Sequence, residues 1–435
     1  MDILQIIYKK RTKQTLSEQE IYYFVNEFVR GEKVKDYQAS ALLMAILLNG
    51  FDDDETYYLT KAMLESGKTM SFNGIEGPII DKHSTGGVAD TVSLILLPIC
   101  ASLGIKVAKL SGGALGHTGG TVDKLASIKV SMDWKPNKDL NLLKKVGMFI
   151  MKQTNDIVPA DKVLYELRSV TDTVECLPLV AASVISKKLA LKTDHIFIDL
   201  KFGEGAFCKD INQAVQLANI MLNLCKRFKR KVNIHVTNMS EPLGSSIGNA
   251  IEVKAAMDFL DGKSETPRLN ILVERFIIDI LLATKKAKTA EIAKKMYLEV
   301  LNNKKTLNQF KKWAVAQGSS MSILNGDFFL PKYKLDIKTN RTGYLLYKSC
   351  RELGYIANDL GAGRHNKEEA IDFQAGIHIK FHNNEFVNTN KVLATLYANK
   401  PIPKSFVNRY LNNIVLTKKK HKIKESQLIA KVLEG

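Results

Sequence analysis

The sequence predicts an α/β protein: a small all-helical lobe, a larger, mixed, mostly parallel α/β lobe, and a β-rich C-terminal part. Three observations carry this. Residues 1 to about 67 show helical periodicity with no strand between the helices. From Pro78, short apolar strands alternate with helices, the pattern of a parallel sheet. Beyond about Lys334 the texture shifts to short alternating runs separated by Gly, Asn and Asp.

In the first segment, Ser17 with Glu20 makes a capping box ahead of Ile21, Phe24 and Phe28. Asp36 can cap a second helix burying Ala39, Leu42, Leu43, Leu47 and Leu48, and a third follows Asp53 and stops near Gly67. Ile79-Ile80 lead into a first Gly-rich loop, Lys82-His83-Ser84-Thr85-Gly86-Gly87, and a helix begins near Asp90 or Thr91. The strand-like run Ile105 to Leu110 leads to a second loop, Gly116-His117-Thr118-Gly119-Gly120-Thr121. Val146–Met151 reads as a buried strand. Arg168 to Ala190 reads as helix broken at Pro178, a return to the helical lobe. His195–Leu200 is a strand ending at Gly203-Glu204-Gly205, and Val232–Val236 is another. Gly343–Tyr347, Gly376–Phe381 and Val392–Ala398 are the C-terminal strands. The expected division is 1–67 and 160–192 for the helical lobe, 68–159 and 193–333 for the α/β lobe, and 334–415 for the β-rich domain. A basic tail, 416–435, completes it, with Lys418–Lys424 a solvated, partly mobile end.

Composition narrows the partners. A net charge of +18 is high, but Lys is spread along the whole chain, and its runs lack the interleaved aromatics of a single-strand platform. No specific nucleic acid is expected, and the charge reads as solvated surface. The five cysteines include no CxxC pair, which predicts reduced thiols and a cytoplasmic setting. No apolar stretch reaches the ~18–20 residues of a membrane span, so no membrane contact is expected. The eight His show no metal-ligand spacing.

The two loops carry the chemistry. Each holds a His, a hydroxyl and a glycine pair, and the pairs stand at positions 86 and 119 with one helix and one strand between them. Both loops therefore fall at the same sheet edge. Glycine permits close backbone approach, hydroxyls and amides donate, and Lys82 adds charge, so an oxyanion is the natural guest. Lys82, Ser84, Ser93, Lys109, Ser111 and Thr121 are the candidate ligands. Neither loop has Walker or dinucleotide-fold spacing.

The same residues resemble the pyrimidine nucleoside phosphorylase and thymidine phosphorylase family. The likeness runs from Asp81–Asp90 and Lys109–Lys124 through Pro159-Ala160-Asp161, Leu164–Arg168, Ala182–Lys188, Gly203–Phe207 and Glu241–Gly244 to Leu360–Arg364. It implies reversible phosphorolysis, in which a pyrimidine nucleoside and phosphate, as co-substrate, give free base and a pentose 1-phosphate. Phosphate would be held by the six residues above, and the base by Tyr165, Arg168, Ser183 and Lys187. His83, with Arg168 and Lys187, would act on the departing base, His83 protonating or hydrogen-bonding its carbonyl. The resemblance also implies a homodimer through the helical lobes. No cofactor is expected beyond a structural potassium ion, which Thr91 and the carbonyls of Ala89, Leu243 and Ser246 could hold. Two departures stand out: Gly113 replaces the family's loop Arg, and Ala255 falls where some relatives supply the ion with a carboxylate. The alternatives are an anthranilate phosphoribosyltransferase-like enzyme, for which Asp90 would be the lone acidic metal ligand, and a catalytically impaired basic nucleoside- or RNA-binding protein.

Overall fold

The computed structural model describes residues 1–435 except 113–118, 134, 264–265, 365–368 and 422–427. Four helices open the chain: α1 (Ile3–Arg11), α2 (Glu18–Arg30), α3 (Asp36–Asn49) and α4 (Asp53–Glu65). The Ser17/Glu20 capping box is present at α2. Asp52 with Glu55 makes another at α4. The α1 helix, capped by Asp2, was not anticipated, because nine residues give too little periodicity to register. Asp36 is the first residue of α3, Lys35 holds the cap position, and Leu48, expected on the buried side, is exposed because the helix's apolar face there turns away from the lobe's core.

The chain then builds β1 (Ile79–Ser84), α5 (Val92–Ser102), β2 (Lys106–Ser111), α6 (Thr121–Ala126), α7 (Pro136–Lys145) and β3 (Met148–Lys152). It returns to the helical lobe as α8 (Pro159–Val170) and α9 (Leu177–Ala190), with Pro178 in the first turn of α9, where it needs no amide partner. It re-enters the sheet as β4 (His195–Phe202), α10 (Ile211–Arg227) and β5 (Lys231–Asn238). The short β6 (Ser246–Gly248) follows, and α11 (Ala250–Leu260), α12 (Pro267–Ala283), α13 (Ala290–Asn302), α14 (Lys305–Ala316) and α15 (Met321–Asn325) complete this lobe. The third part holds β7 (Tyr333–Lys338), β8 (Gly343–Tyr347), α16 (Cys350–Ala357), β9 (Gly376–Ile379), β10 (Phe386–Val387), β11 (Val392–Ala398), α17 (Lys404–Asn412) and β12 (Ile414–Thr417). Last comes β13 (Ile429–Glu434).

The central sheet has the order β13-β5-β4-β1-β2-β3, parallel except for β13. The chain works outward from β1 to β3, then crosses to β4 and works the other way. That reversal puts a topological switch point at the carboxyl ends of β1 and β4, the usual crevice for ligands in such sheets. Buried apolar residues of α5 and α11–α14 pack one face, and α9 and α10 cover the β4–β5 side of the other. The helical lobe has its own core, which reaches the sheet through Ala108, Leu110, Phe149 and Met151.

Two expectations are corrected here. Lys82-His83-Ser84 is not loop but the end of β1, where residue-by-residue pairing with Phe197-Ile198-Asp199 fixes its register. The tail 416–435 is not simply a solvated end: Thr417 closes β12, and Ile429–Glu434 pair antiparallel with β5. Alternation in Ile429–Glu434 is too brief to stand out beside a run of Lys. Lys418–Lys420 are exposed, and Lys422–Lys424 lie outside the described residues. The third part also contains two helices and borrows β6 from the preceding segment, in the sheet β6-β9-β11-β7.

Candidate active site

A cleft of about 380 Å³ lies between the helical lobe and the carboxyl ends of β1 and β2. One wall is built from the sheet: His83 and Ser84 at the end of β1, Lys109 and Ser111 on β2, and the first turns of α5 and α6, which bring Ser93 and Thr121. The other is built from α8 and α9. Asp161, Tyr165 and Arg168 recur at helical spacing on one face of α8, as do Val180, Ser183, Val184, Lys187 and Lys188 on α9. Phe207 enters from the loop after β4. Of the residues singled out from sequence for phosphate, base or catalysis, all but Lys82 line this cleft. His117 and Gly113 lie outside the described residues.

Lys82 is buried one layer behind. Its Nζ lies 3.4 Å from Ser93 Oγ and 3.6 Å from Asp199 Oδ2. Asp199 also accepts from Lys201 Nζ at 2.8 Å and from Thr237 Oγ1 at 2.6 Å. Ser84 Oγ donates to Asp90 Oδ2 at 2.6 Å, and Lys201 stands 3.7 Å from the same oxygen. Burial alone would raise the Asp90 carboxyl, but the ammonium groups of Lys201 and Lys82 hold it far below the usual range. A buried polar layer thus supports the turn Thr85-Gly86-Gly87 from beneath. Gly86 takes φ +91° there, and a Cβ on Gly87 would meet Met239 and Lys201 within 3 Å.

On the helical wall, Lys187 Nζ donates to Asp161 Oδ2 and, at 2.9 Å, to Ser183 Oγ. Burial lowers the pKa of this ammonium against the pull of Asp161. Lys188 spans the lobes, reaching Asp81 Oδ2 at 2.8 Å and the Leu110 carbonyl at 2.9 Å. Arg168 donates to the carbonyls of Thr173, Leu179 and Val174 at 3.1, 3.2 and 2.8 Å. It therefore fixes the α8–α9 turn as well as facing the cleft. His83 is half-buried between the two walls. Burial, then the cations Lys188, Lys109, Lys187 and Lys82, push its imidazole well below the usual 6.5. It is neutral at pH 7, a hydrogen-bond donor and not an imidazolium.

Sequence reasoning quoted Asp81, Asp161 and Lys188 inside motifs without giving them roles, and it passed over Asp199 and Lys201. The signal for the last two was present: two charges at i, i+2 within the otherwise apolar strand Ile196–Phe202.

Two of the carbonyls named for a potassium ion each accept one hydrogen bond, which leaves a second lone pair on each. The Ala89 carbonyl accepts from Gly244 N–H, and the Leu243 carbonyl accepts from Thr266 Oγ1. Thr91 Oγ1 is buried with no partner among the described residues. Glu252 on α11 is paired with Lys124, whose Nζ also donates to the Asp90 carbonyl. Position 255 contributes only a methyl group.

Three family domains match in order: the glycosyl transferase family helical bundle domain over residues 4–67, its a/b domain over 76–307, and the pyrimidine nucleoside phosphorylase C-terminal domain over 344–417. The thymidine phosphorylase of Mycoplasmoides pirum is 48% identical over 412 residues, covering 94% of this chain and 98% of that protein. The pyrimidine-nucleoside phosphorylase of Bacillus subtilis is 39% identical over 417 residues, covering 95% and 96%. Among solved structures, anthranilate phosphoribosyltransferase from Thermus thermophilus superposes with a TM-score of 0.57 at 16% identity, over 75% of this chain and all of that one; this is a likeness of fold. With all three domains in register and such identity along nearly the full length, the chain belongs to the thymidine and pyrimidine-nucleoside phosphorylase family.

Proposed function

We propose that this protein catalyses the reversible phosphorolysis of pyrimidine nucleosides to free base and (deoxy)ribose 1-phosphate, a pentosyl transfer. The observation that carries the reading is the division of one cleft into two chemistries, with His83 between them. Hydroxyls, helix N-termini and Lys109 on the sheet side suit a phosphate. On the helical side, Lys187, Ser183 and Arg168 beside Tyr165 and Phe207 suit a flat ring edged with carbonyls.

In the reaction, the bond from C1′ to the base nitrogen breaks as a phosphate oxygen bonds C1′. Negative charge develops on the departing pyrimidine and positive charge on the sugar. Lys187 and Arg168 stabilise the first. Phosphate is already nucleophilic, so Ser84, Ser93, Ser111, Thr121 and Lys109 need only orient it and strip its water. Lys82 acts through Ser93, which it touches, and not by reaching the cleft. Neutral His83 gives its N–H to a base carbonyl as the bond lengthens. The phosphate's own proton ends on the base, so the balance needs no outside acid.

The rival transferase gains nothing from Asp90, which is committed to Ser84 and Lys201. Two further readings accompany the proposal. The exposed side chains Leu4 and Tyr8 on α1 and Tyr37, Met44 and Leu48 on α3 recur at helical spacing, which supports a homodimer through the helical lobe. Five buried free thiols suit the cytoplasm, and no helix among the described residues is long and apolar enough to cross a membrane. The deciding experiment measures phosphate-dependent release of uracil or thymine from uridine, deoxyuridine and thymidine. Release of base from none of them, with phosphate present, overturns the proposal.

A further inference from the structure

Five lysines surround the floor of the cleft, and four meet a carboxylate. Lys82 and Lys201 share Asp199, Lys187 has Asp161, and Lys188 has Asp81. Lys109 has no carboxylate partner among the described residues. Its Nζ donates to the Lys82 carbonyl, and the side chain is buried, 3% exposed. The six residues after Gly112 contain no acid that could supply one. Of the neighbouring acids, Asp81 gives Oδ2 to Lys188 and keeps Oδ1 without a partner among the described residues, and Asp90 meets Ser84 and Lys201; both favour the Lys109 ammonium, but neither is paired with it. The nearby cations, Lys82 on β1 and Lys188 on α9, oppose a further positive charge, and His83 is neutral. A buried ammonium without a counter-ion is costly, and here the missing counter-ion is the guest.

Building on the phosphate-site reading above, we propose that anion binding beside Ser93, Ser111 and Thr121 is coupled to uptake of one proton by Lys109 Nζ. Burial, then the Lys188 ammonium, hold this amine down to about 7, low enough for the exchange to occur under working conditions. With a fixed dianion the amine takes its proton from solvent and becomes the ammonium that pairs with the guest. With dihydrogen phosphate the proton comes from the guest itself, so phosphate is seated as the dianion whichever form arrives.

Inorganic sulfate, a dianion across the whole range, isolates the protein's share. Calorimetric titration of the intact protein at pH 8, in buffers of different ionisation enthalpy, should show uptake approaching one proton per sulfate. Affinity should fall by up to about tenfold per pH unit above pH 7. Lys109→Arg should still bind sulfate but without uptake and with a flat pH dependence, because guanidinium stays charged. Lys109→Met should bind more weakly and also without uptake. Sulfate binding whose enthalpy is independent of buffer overturns the coupling and leaves the phosphate site standing. Uptake that survives in Lys109→Arg overturns the assignment to Lys109. Failure of the wild type to bind sulfate at all overturns the anion-site reading, and this inference with it.

Discussion

His83 and Asp161 illustrate how neighbours set a side chain's task. Because burial and the neighbouring lysines keep His83 neutral, the proposed mechanism gives it a hydrogen bond that strengthens as the base departs. His83→Ala should lower kcat by about 10²–10⁴ and change the phosphate KM little. Steady-state kinetics with 5-fluoropyrimidine nucleosides should show a smaller loss, since a better leaving group needs less help. Equal losses for good and poor leaving groups would make His83 a positioning residue. Asp161 holds Lys187; if Lys187 meets the base as proposed, Asp161→Asn should raise the nucleoside KM and lower kcat while sparing the phosphate KM. At this scale much of the cleft's lining was legible: hydroxyls and glycines mark one wall at a sheet edge, and the α9 face can be counted from Ser183 to Lys187. What the sequence hid was pairing. Lys82 has the residue type of a phosphate ligand, yet of the cleft residues it touches only Ser93, because its charge meets Asp199 on a strand more than a hundred residues away. Conversely, Arg168 gives three bonds to carbonyls that no spacing rule predicts.

Among the elements, the loop after β4 connects parts that the sequence presents separately. Glu204 accepts from Ser349 Oγ at 2.7 Å and from the Arg351 N–H at 2.8 Å, at the N-terminus of α16. The Arg351 guanidinium donates back to the carbonyls of Glu204 and Ala206. A Cβ on Gly205 would strike Cys350 Sγ at 2.6 Å. The third part thus grips the loop that delivers Phe207 to the cleft. Arg351→Ala should raise the nucleoside KM about three- to tenfold, as expected for loss of ~1 kcal/mol of positioning. The phosphate KM should hold, and circular dichroism should show an unchanged fold. A matching rise in both KM values would mean general loosening instead. The elements themselves were mostly readable, because the buried strands are bounded by glycine and by polar runs. Boundaries failed where tertiary pairing decides them: β1 runs on through Lys82-His83-Ser84 only because β4 lies beside it.

At the scale of the molecule, the exposed apolar stripe of α1 and α3 predicts assembly. Leu48→Glu should convert a dimer to monomer in light scattering, with little change in secondary structure. If the wild type is itself a monomer, the stripe needs another explanation. The chain passes between the lobes more than once and Lys188 bridges them, so the cleft's geometry depends on residues from both. The strand order carries one consequence for biosynthesis. β13 closes the open side of β5, yet its residues are translated after every other strand of that sheet has been made. Until residues 429–434 leave the ribosome, the nascent chain carries a long strand edge with unpaired backbone groups, the kind of surface that recruits a neighbouring chain. Polypeptides released before that point should accumulate as aggregates or chaperone clients, and a short peptide spanning 429–435, added in trans, should raise their soluble yield.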